Sequence, residues 1–160
     1  MIRLALETDA RRIGELWEEM VDYHAQFDQS TFRAAENGAL LYERRMLDRL
    51  GDPQSRVLVA EANGEIAAYA SAMIADITTE MFLPLRCGLL ADIYVSEPYR
   101  RRGLGRELVE RLCLWFRDQD VSHFEWHVSA RNQTAMAFWE TIGGQPTILR
   151  MRANVPGAEE

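Results

Sequence analysis

One run constrains this chain more than any other: "GLLADIYVSEPYRRRGLGRELVERLCLWF", Gly88 to Phe116. Its first part, Gly88 to Ser96, is an apolar stretch of strand length that stops at Glu97-Pro98. Its last part sets Leu104, Leu108, Val109, Leu112, Cys113 and Phe116 on one helical stripe, opposite Glu107, Glu110, Arg111 and Arg117. Between them, Arg100, Arg101, Arg102 and Arg106 surround Gly103 and Gly105. A strand that turns through glycines into a helix presents backbone N–H groups without acceptors at the positive end of the helix dipole. Such a turn receives an anion, and glycine lets the backbone come close to it.

The other segments fit around this unit. "IRLAL" alternates apolar and polar residues and reads as a first strand. Thr8 is placed to cap a helix in which Ile13, Leu16, Trp17, Met20 and Val21 recur at helical spacing. A second helical stretch runs from Thr31 to Leu50, is interrupted at Asn37-Gly38 and stops at Gly51 to Pro53. "RVLVAEANGEIAAYASAMI" reads as a hairpin, because Asn63-Gly64 suits a type I′ turn between two strands. Beyond the central helix, "HFEWHVS" (His123 to Ser129) reads as a strand. "NQTAMAFWETIG" reads as a helix capped by Asn132 and stopped by Gly143, and "PTILRMR" as a last strand. The order is strand, two helices, three strands, helix, strand, helix, strand. It predicts one α/β domain over residues 1–160, of the α+β kind, with antiparallel middle strands rather than a doubly wound nucleotide fold.

Composition removes several classes of function. A chain that is 48% hydrophobic and 27% charged, at this length, suits a single well-filled core. A formal net charge of −7 argues against nucleic acid as a partner, since a phosphate backbone needs a basic face. No apolar run approaches the ~20 residues that cross a bilayer. The N-terminal "MIRLALETDARRIGELW" lacks the apolar centre of a signal peptide. A cytoplasmic protein with no membrane partner is therefore expected. Cys87 and Cys113 have neither metal-ligand spacing nor disulfide density, so no metal is expected.

The glycine turn is not a Walker loop, which needs G-x-x-x-x-G-K-[ST]. Nor is it a dinucleotide fingerprint, because Leu108 stands where the third glycine belongs. What remains is R-x-x-G-x-G from Arg100 to Gly105, preceded by Ile93-Tyr94-Val95 and followed by "V-x-x-x-N-x-x-A-x-x-F" from Val128 to Phe138. With these flanks, the span from Asp92 to Gly143 resembles the GNAT N-acetyltransferase superfamily, whose R/Q-x-x-G-x-G/A turn holds the pyrophosphate of acetyl-CoA. The element order agrees with that family, and the resemblance implies a mixed, mostly antiparallel central sheet flanked by helices.

The resemblance also implies roles. Ile93, Tyr94 and Val95 would offer free backbone groups to the pantetheine arm, and one of their N–H groups would serve the oxyanion. Arg100 opens the motif, and the backbone N–H groups of Arg101, Arg102, Gly103, Leu104, Gly105 and Arg106 would hold the pyrophosphate. Asn132 matches an asparagine that contacts the cofactor in relatives, and it can cap a helix as well. The chemistry needs a neutral amine, a donor for the oxyanion and a proton for the departing thiolate. An aliphatic amine of pKa ~10.4 is protonated at neutral pH, so a base or a water relay is required. His127 stands where some relatives carry a glutamate base, and histidine titrates in a useful range. A relay ending on Glu80, Asp92 or Tyr94 is the other route. Relatives place a tyrosine in "F-Y-E" close to the sulfur, but this chain reads "FWE" with Trp139, which has no acidic proton. Tyr94, another hydroxyl or water then protonates the thiolate.

In the family, the acceptor meets the first two helices and the loop before the fourth strand. Here those are Val21 to Phe32, with Asp22, Tyr23, His24, Phe27 and Asp28, and Ala75 to Gly88, with Asp76 and Glu80. Acidic and aromatic groups suit a cationic amine, on a small molecule or a protein. The expected function is transfer of acetyl from acetyl-CoA to a primary amine by direct attack. Transfer from another acyl-CoA, and a non-catalytic acyl-CoA-binding regulatory module, are the alternatives. A homodimer is expected on resemblance, with "PTILRMRANV" as a strand offered to the partner.

Overall fold

The hairpin forms where its turn chemistry dictates, with Asn63 and Gly64 both at positive φ, 54° and 81°. It joins β2 (Ser55–Ala62) to β3 (Glu65–Asp76) at the centre of the sheet. In this computed structural model, which describes residues 1–76, 78 and 80–157, β1 (Ile2–Leu4) pairs with β2 and β4 (Arg86–Val95) pairs with β3, all antiparallel. A short β5 (Phe124–Glu125) adds to β4 in parallel, giving the order β1-β2-β3-β4-β5. Ile77 and Thr79 of the β3–β4 loop, and residues 158–160, lie outside the described residues.

Each face of the sheet carries its own core. Val57, Val59 and Tyr69 point to α1 (Ala10–Ala25) and α2 (Gly38–Leu50), where they meet Ile13, Leu16 and Met46. Leu58, Ala60 and Ala70 point the other way, to Leu108, Leu112 and Phe116 of α3 (Leu104–Asp118) and to Trp139 of α4 (Gln133–Thr141). The period-two alternation of the strands sorts side chains between two helical layers.

Four boundaries differ from the sequence reading, each for a local reason. Helix α1 does not start on a Thr8 cap, because a 3₁₀ turn over Glu7–Asp9 precedes it. There the Asp9 carboxylate reaches back to the Leu6 N–H at 2.7 Å and takes a forked pair of bonds from Arg3 at 2.6 and 3.1 Å. Residues 31–37 are not helical, and α2 begins at Gly38. The Asp28 carboxylate accepts from the Ser30 and Thr31 N–H groups and both hydroxyls, and such a side-chain turn competes with helix. Strand β5 ends at Glu125 instead of running to Ser129. The expected last strand "PTILRMR" has no regular structure, since no β5 backbone continues beside it. Its Ile148, Leu149 and Met151 are exposed, and Arg152 ties the segment to Asp28 at 3.3 Å.

The Arg3 knot fixes the sheet edge to the entry of α1, for Arg3 also donates to Glu61 on β2 at 2.8 Å. Arg3 holds the buried Asp9 carboxyl below its ordinary value. A carboxyl lowered in the folded state stabilises above its unfolded pKa and loses that contribution as pH falls through the folded value. Asp9→Asn is expected to cost about 1–3 kcal/mol by leaving Arg3 under-bonded. Urea melts between pH 3 and 7 will check it, with the gap between variant and parent narrowing below about pH 4.

Candidate active site

The site begins where β4 and β5 part. They pair only at Gly88↔Phe124 and Leu89↔Glu125, and from Leu90 to Val95 the outer edge of β4 has no strand partner among the described residues. The Ser96 N–H bonds the Ala67 carbonyl at 2.9 Å. Antiparallel alternation therefore turns the backbone groups of Ile93 and Val95 away from β3, toward the gap. Arg100 Nε takes the Val95 carbonyl at 2.9 Å, leaving both groups of Ile93 and the Val95 N–H free. A run of rings lies along the parting strands: Phe116–Phe124 at 5.5 Å, Phe124–Trp126 at 5.1 Å, Trp126–Trp139 at 4.4 Å and Trp139–Phe138 at 4.9 Å between centroids. Trp139, in the position of the family tyrosine, is thus a buried member of this stack.

At the end of the gap stands the turn. The first N–H of α3 with a backbone acceptor is that of Glu107, to the Gly103 carbonyl at 3.0 Å. The N–H groups of Arg101 to Arg106 have none among the described residues. The two glycines are there for different reasons. Gly103 sits at φ 82°, in the left-handed region. Gly105 has no such φ, and a Cβ on it would meet Phe138 and Val95 only at 3.7–3.8 Å, ordinary contact. The fold does not require glycine at 105, and the missing side chain leaves the turn open there. The arginines also divide. Arg100 lies over the Tyr23 ring at 4.3 Å, while the exposed arginines differ: Arg106 bonds Thr141 at 3.1 Å, Arg102 lies over the Tyr99 ring at 5.5 Å, and Arg101 has no such contact among the described residues. Across the gap, buried Asn132 caps α4 by accepting the Ala135 N–H at 3.0 Å on Oδ1, which leaves its amide NH2 to a ligand.

On the α1–α2 face of β4 lies a polar cluster. A bulge sets Ala91 out of register, because Ser71 pairs with Asp92 and Ala72 with Leu90. Asp92 then accepts from buried Tyr42 of α2 at 2.6 Å, and Arg49 donates to buried Ser71 at 2.6 Å. Burial pushes the Asp92 carboxyl up, while Tyr42, Arg49, Arg45 and His24 pull it back. Two residues on, the Tyr94 phenol is also raised by burial, with its oxygen 3.3 Å from Arg100 Nη2. Tyr42, Arg49 and Ser71 did not stand out in the sequence. A signal was present: Arg49 follows Tyr42 and Met46 at core-facing spacing on α2, opposite a lone carboxylate in an apolar strand.

Other sequence candidates are placed elsewhere. His127 is exposed, beyond the end of β5. Asp28 and Asp76 organise their own loops, Asp76 by accepting from Thr78 and Leu85. Asp22 and Glu80 are exposed. His24 does join a ring cluster with Tyr23, Phe27 and Phe32, its Nδ1 2.8 Å from the Met20 carbonyl. A depression of about 520 Å³, lined by Ala25, Gln29, Ser30, Phe32 and Arg33, adjoins that cluster.

Comparison with known proteins gives the same frame. The family model described as the acetyltransferase (GNAT) family matches residues 13–143. The chain is similar to the L-amino acid N-acyltransferase MnaT of Escherichia coli (strain K12), 30% identical over 142 residues, 89% of this chain and 77% of that one. A tetramutant of the BH1408 protein of Bacillus halodurans has the same fold, with a TM-score of 0.86 at 22% identity over 97% of this chain and 99% of that one. So does the aminoglycoside N-acetyltransferase AAC(6')-Iy, whose structure is a complex with CoA, with a TM-score of 0.74 at 16% identity over 98% and 94%. The fold is that of an acyltransferase. The chain belongs to the acetyltransferase (GNAT) family.

The turn yields a direct test. Gly105→Glu is expected to abolish coenzyme A binding by placing an anion at the helix N-terminus, with the Tm little changed because the position has room for side-chain atoms. Calorimetric titration checks it, and unchanged affinity in the folded variant removes the turn from the site.

Proposed function

We propose that this protein is an N-acetyltransferase that moves acetyl from acetyl-CoA to a primary amine of a small molecule, in a single domain over residues 1–160. The observation that carries the proposal is the parted β4–β5 pair ending on a turn of unbonded N–H groups. In this reading the strand Ile93-Tyr94-Val95 holds the pantetheine arm through the backbone groups of Ile93 and Val95, which face the gap while those of Tyr94 face β3, and the Ile93 or Val95 N–H is also available to the oxyanion. The N–H groups of Arg101, Arg102, Gly103, Leu104, Gly105 and Arg106 hold the pyrophosphate, and the Asn132 amide meets the cofactor from across the gap. Arg100 shapes the site through Val95 and Tyr94 instead of pairing with phosphate.

Attack by the amine forms the C–N bond, and loss of the thiolate breaks the C–S bond, with no acyl-enzyme. A tyrosine phenol carries its proton at neutral pH and burial raises Tyr94 further, while Arg100 donates to its oxygen, so its O–H is free to serve the thiolate. The proton removed from the ammonium goes to His127 on the β5 side or to a carboxylate on the β4 side. An amine acceptor is supported by MnaT, whose name gives L-amino acids, and by the ring cluster of α1.

The assembly we propose is a homodimer. Its support is the edge position of β5 together with the exposed apolar residues of the 145–155 segment, which a second copy could pair with β5. Free Cys87 and Cys113 suit the reducing cytoplasm.

Two measurements test these readings. Incubation with acetyl-CoA and a panel of L-methionine, L-lysine, spermidine and an aminoglycoside is expected to release free thiol with at least one amine. Coenzyme A binding with no release would favour an acyl-CoA-binding module. Light scattering on a size-exclusion column is expected to show a dimer that becomes a monomer when residues 145–160 are removed.

A further inference from the structure

We infer that Arg33 holds an anion carried by the acceptor, and that the amine to be acetylated sits at the other end of a carbon chain, as in the side chain of free lysine or another ω-amino acid. The inference rests on the acetyltransferase reading above and narrows its substrate.

Charge is the first observation. The chain has a formal net charge of −7, yet among the described residues no carboxylate lines the cavity beside the α1 ring cluster. Asp28 is one residue from the lining Gln29, but it accepts from the Ser30 and Thr31 hydroxyls at 2.7 Å each and pairs with Arg152 at 3.3 Å. Asp22 and Glu36, to either side, are exposed and line none of it. Arg33 does line it, and has no ion pair among the described residues. The polar wall is then Gln29, Ser30 and Arg33, with the Arg152 guanidinium bonded to Ser30 Oγ at 2.5 Å. A guanidinium beside an amide suits a carboxylate, which accepts on both oxygens.

The wall is also held in place. Arg131 Nη1 donates to the Phe27 carbonyl at 2.9 Å, and Arg152 Nη2 bonds Thr31 Oγ1 at 2.5 Å. A loop fixed in this way spares a ligand the cost of ordering it.

Span decides where the amine lies. Phe32, in the wall, packs on His24 at 5.0 Å, and His24 meets Tyr23 edge-on at 5.6 Å. Arg100 then covers Tyr23 at 4.3 Å and donates to Tyr94 Oη at 3.3 Å. His24 and Tyr23 therefore stand between the cavity and β4. In an α-amino acid the amine nitrogen is only two bonds from the carboxylate carbon, too few to cross two rings. An amine on a chain the length of lysine's side chain reaches, with its methylenes against the rings, its anion at Arg33 and its nitrogen at β4.

The test uses the full chain, acetyl-CoA and three amines: 6-aminohexanoate, pentylamine (the same chain without its carboxylate) and L-lysine. The kcat/KM for 6-aminohexanoate is expected to exceed that for pentylamine by on the order of 10–100-fold, the worth of a charge-assisted bond. Lysine should be acetylated on its side chain, as read by fragmentation in a mass spectrometer. Arg33→Gln is expected to bring 6-aminohexanoate down to the level of pentylamine, whereas loss of a merely structural residue would cost both amines equally. Arg33 is exposed, and coenzyme A affinity and Tm check that the variant is intact. Equal wild-type values for the two chains overturn the inference, as do acetylation of lysine on its α-amine and an equal loss for both amines in Arg33→Gln. Each of these outcomes leaves the acetyltransferase reading standing. Thiol release with none of these amines and none of the earlier panel overturns that reading, and this inference with it.

Discussion

Everything in this molecule depends on two parallel strands that pair for two residues and then separate. A parallel pair normally continues until its backbone groups are satisfied, because an unpaired N–H or C=O away from water is costly. Here the ladder stops at Leu89 and Glu125, and aromatic rings occupy the ground beyond. Phe116, Phe124, Trp126, Trp139 and Phe138 bring rigid area at low conformational entropy, so the sheet cannot close by small adjustments. The backbone left over on β4 faces the gap without a strand partner among the described residues. Trp139 belongs to this stack, between Trp126 and Phe138.

The two sides of the gap use different physics. On the α3 side the gap ends on backbone: a left-handed Gly103, an unobstructed Gly105 and a helix start whose first N–H groups have no acceptor among the described residues. Side chains matter there mostly for shape, and Arg100 and Arg106 are already engaged with the protein. On the α1–α2 side the strand presents side chains gathered from three elements, in two bonded pairs, Tyr42 with Asp92 and Arg49 with Ser71. A backbone site tolerates sequence drift, whereas a side-chain cluster can be re-cut for a new acceptor.

How much the sequence disclosed follows this division. The strand, turn and helix from Gly88 to Phe116 were legible because each rests on local rules: an apolar run, glycines and a helical stripe. The Asn63-Gly64 hairpin and the Asn132 cap were legible for the same reason. What failed was non-local. Thr8 had the chemistry of a cap, but Asp9 was recruited by Arg3 from the sheet edge. "PTILRMR" had the alternation of a strand, but β5 ends too soon to pair with it. The sequence did not show that the aspartates at 28 and 76 would accept bonds within their own loops, nor that Asp28 would also meet Arg152. Tyr42 and Asp92 lie fifty positions apart and meet only because α2 packs over β4.

Arg100 has a role larger than its place in a motif suggests. Its guanidinium covers the Tyr23 ring of α1, bonds the Val95 carbonyl of β4 and touches the Tyr94 hydroxyl, while its backbone opens the turn. One side chain thus ties the edge of β4 to the ring cluster of α1. A ligand that draws the turn inward must pull on Tyr23 as well. The two substrates then share a mechanical link, and linkage makes it reciprocal: whatever the coenzyme contributes to acceptor affinity, the acceptor returns to the coenzyme in equal measure. Because such coupling is symmetric, it favours joint occupancy of the two places and by itself sets no order of filling.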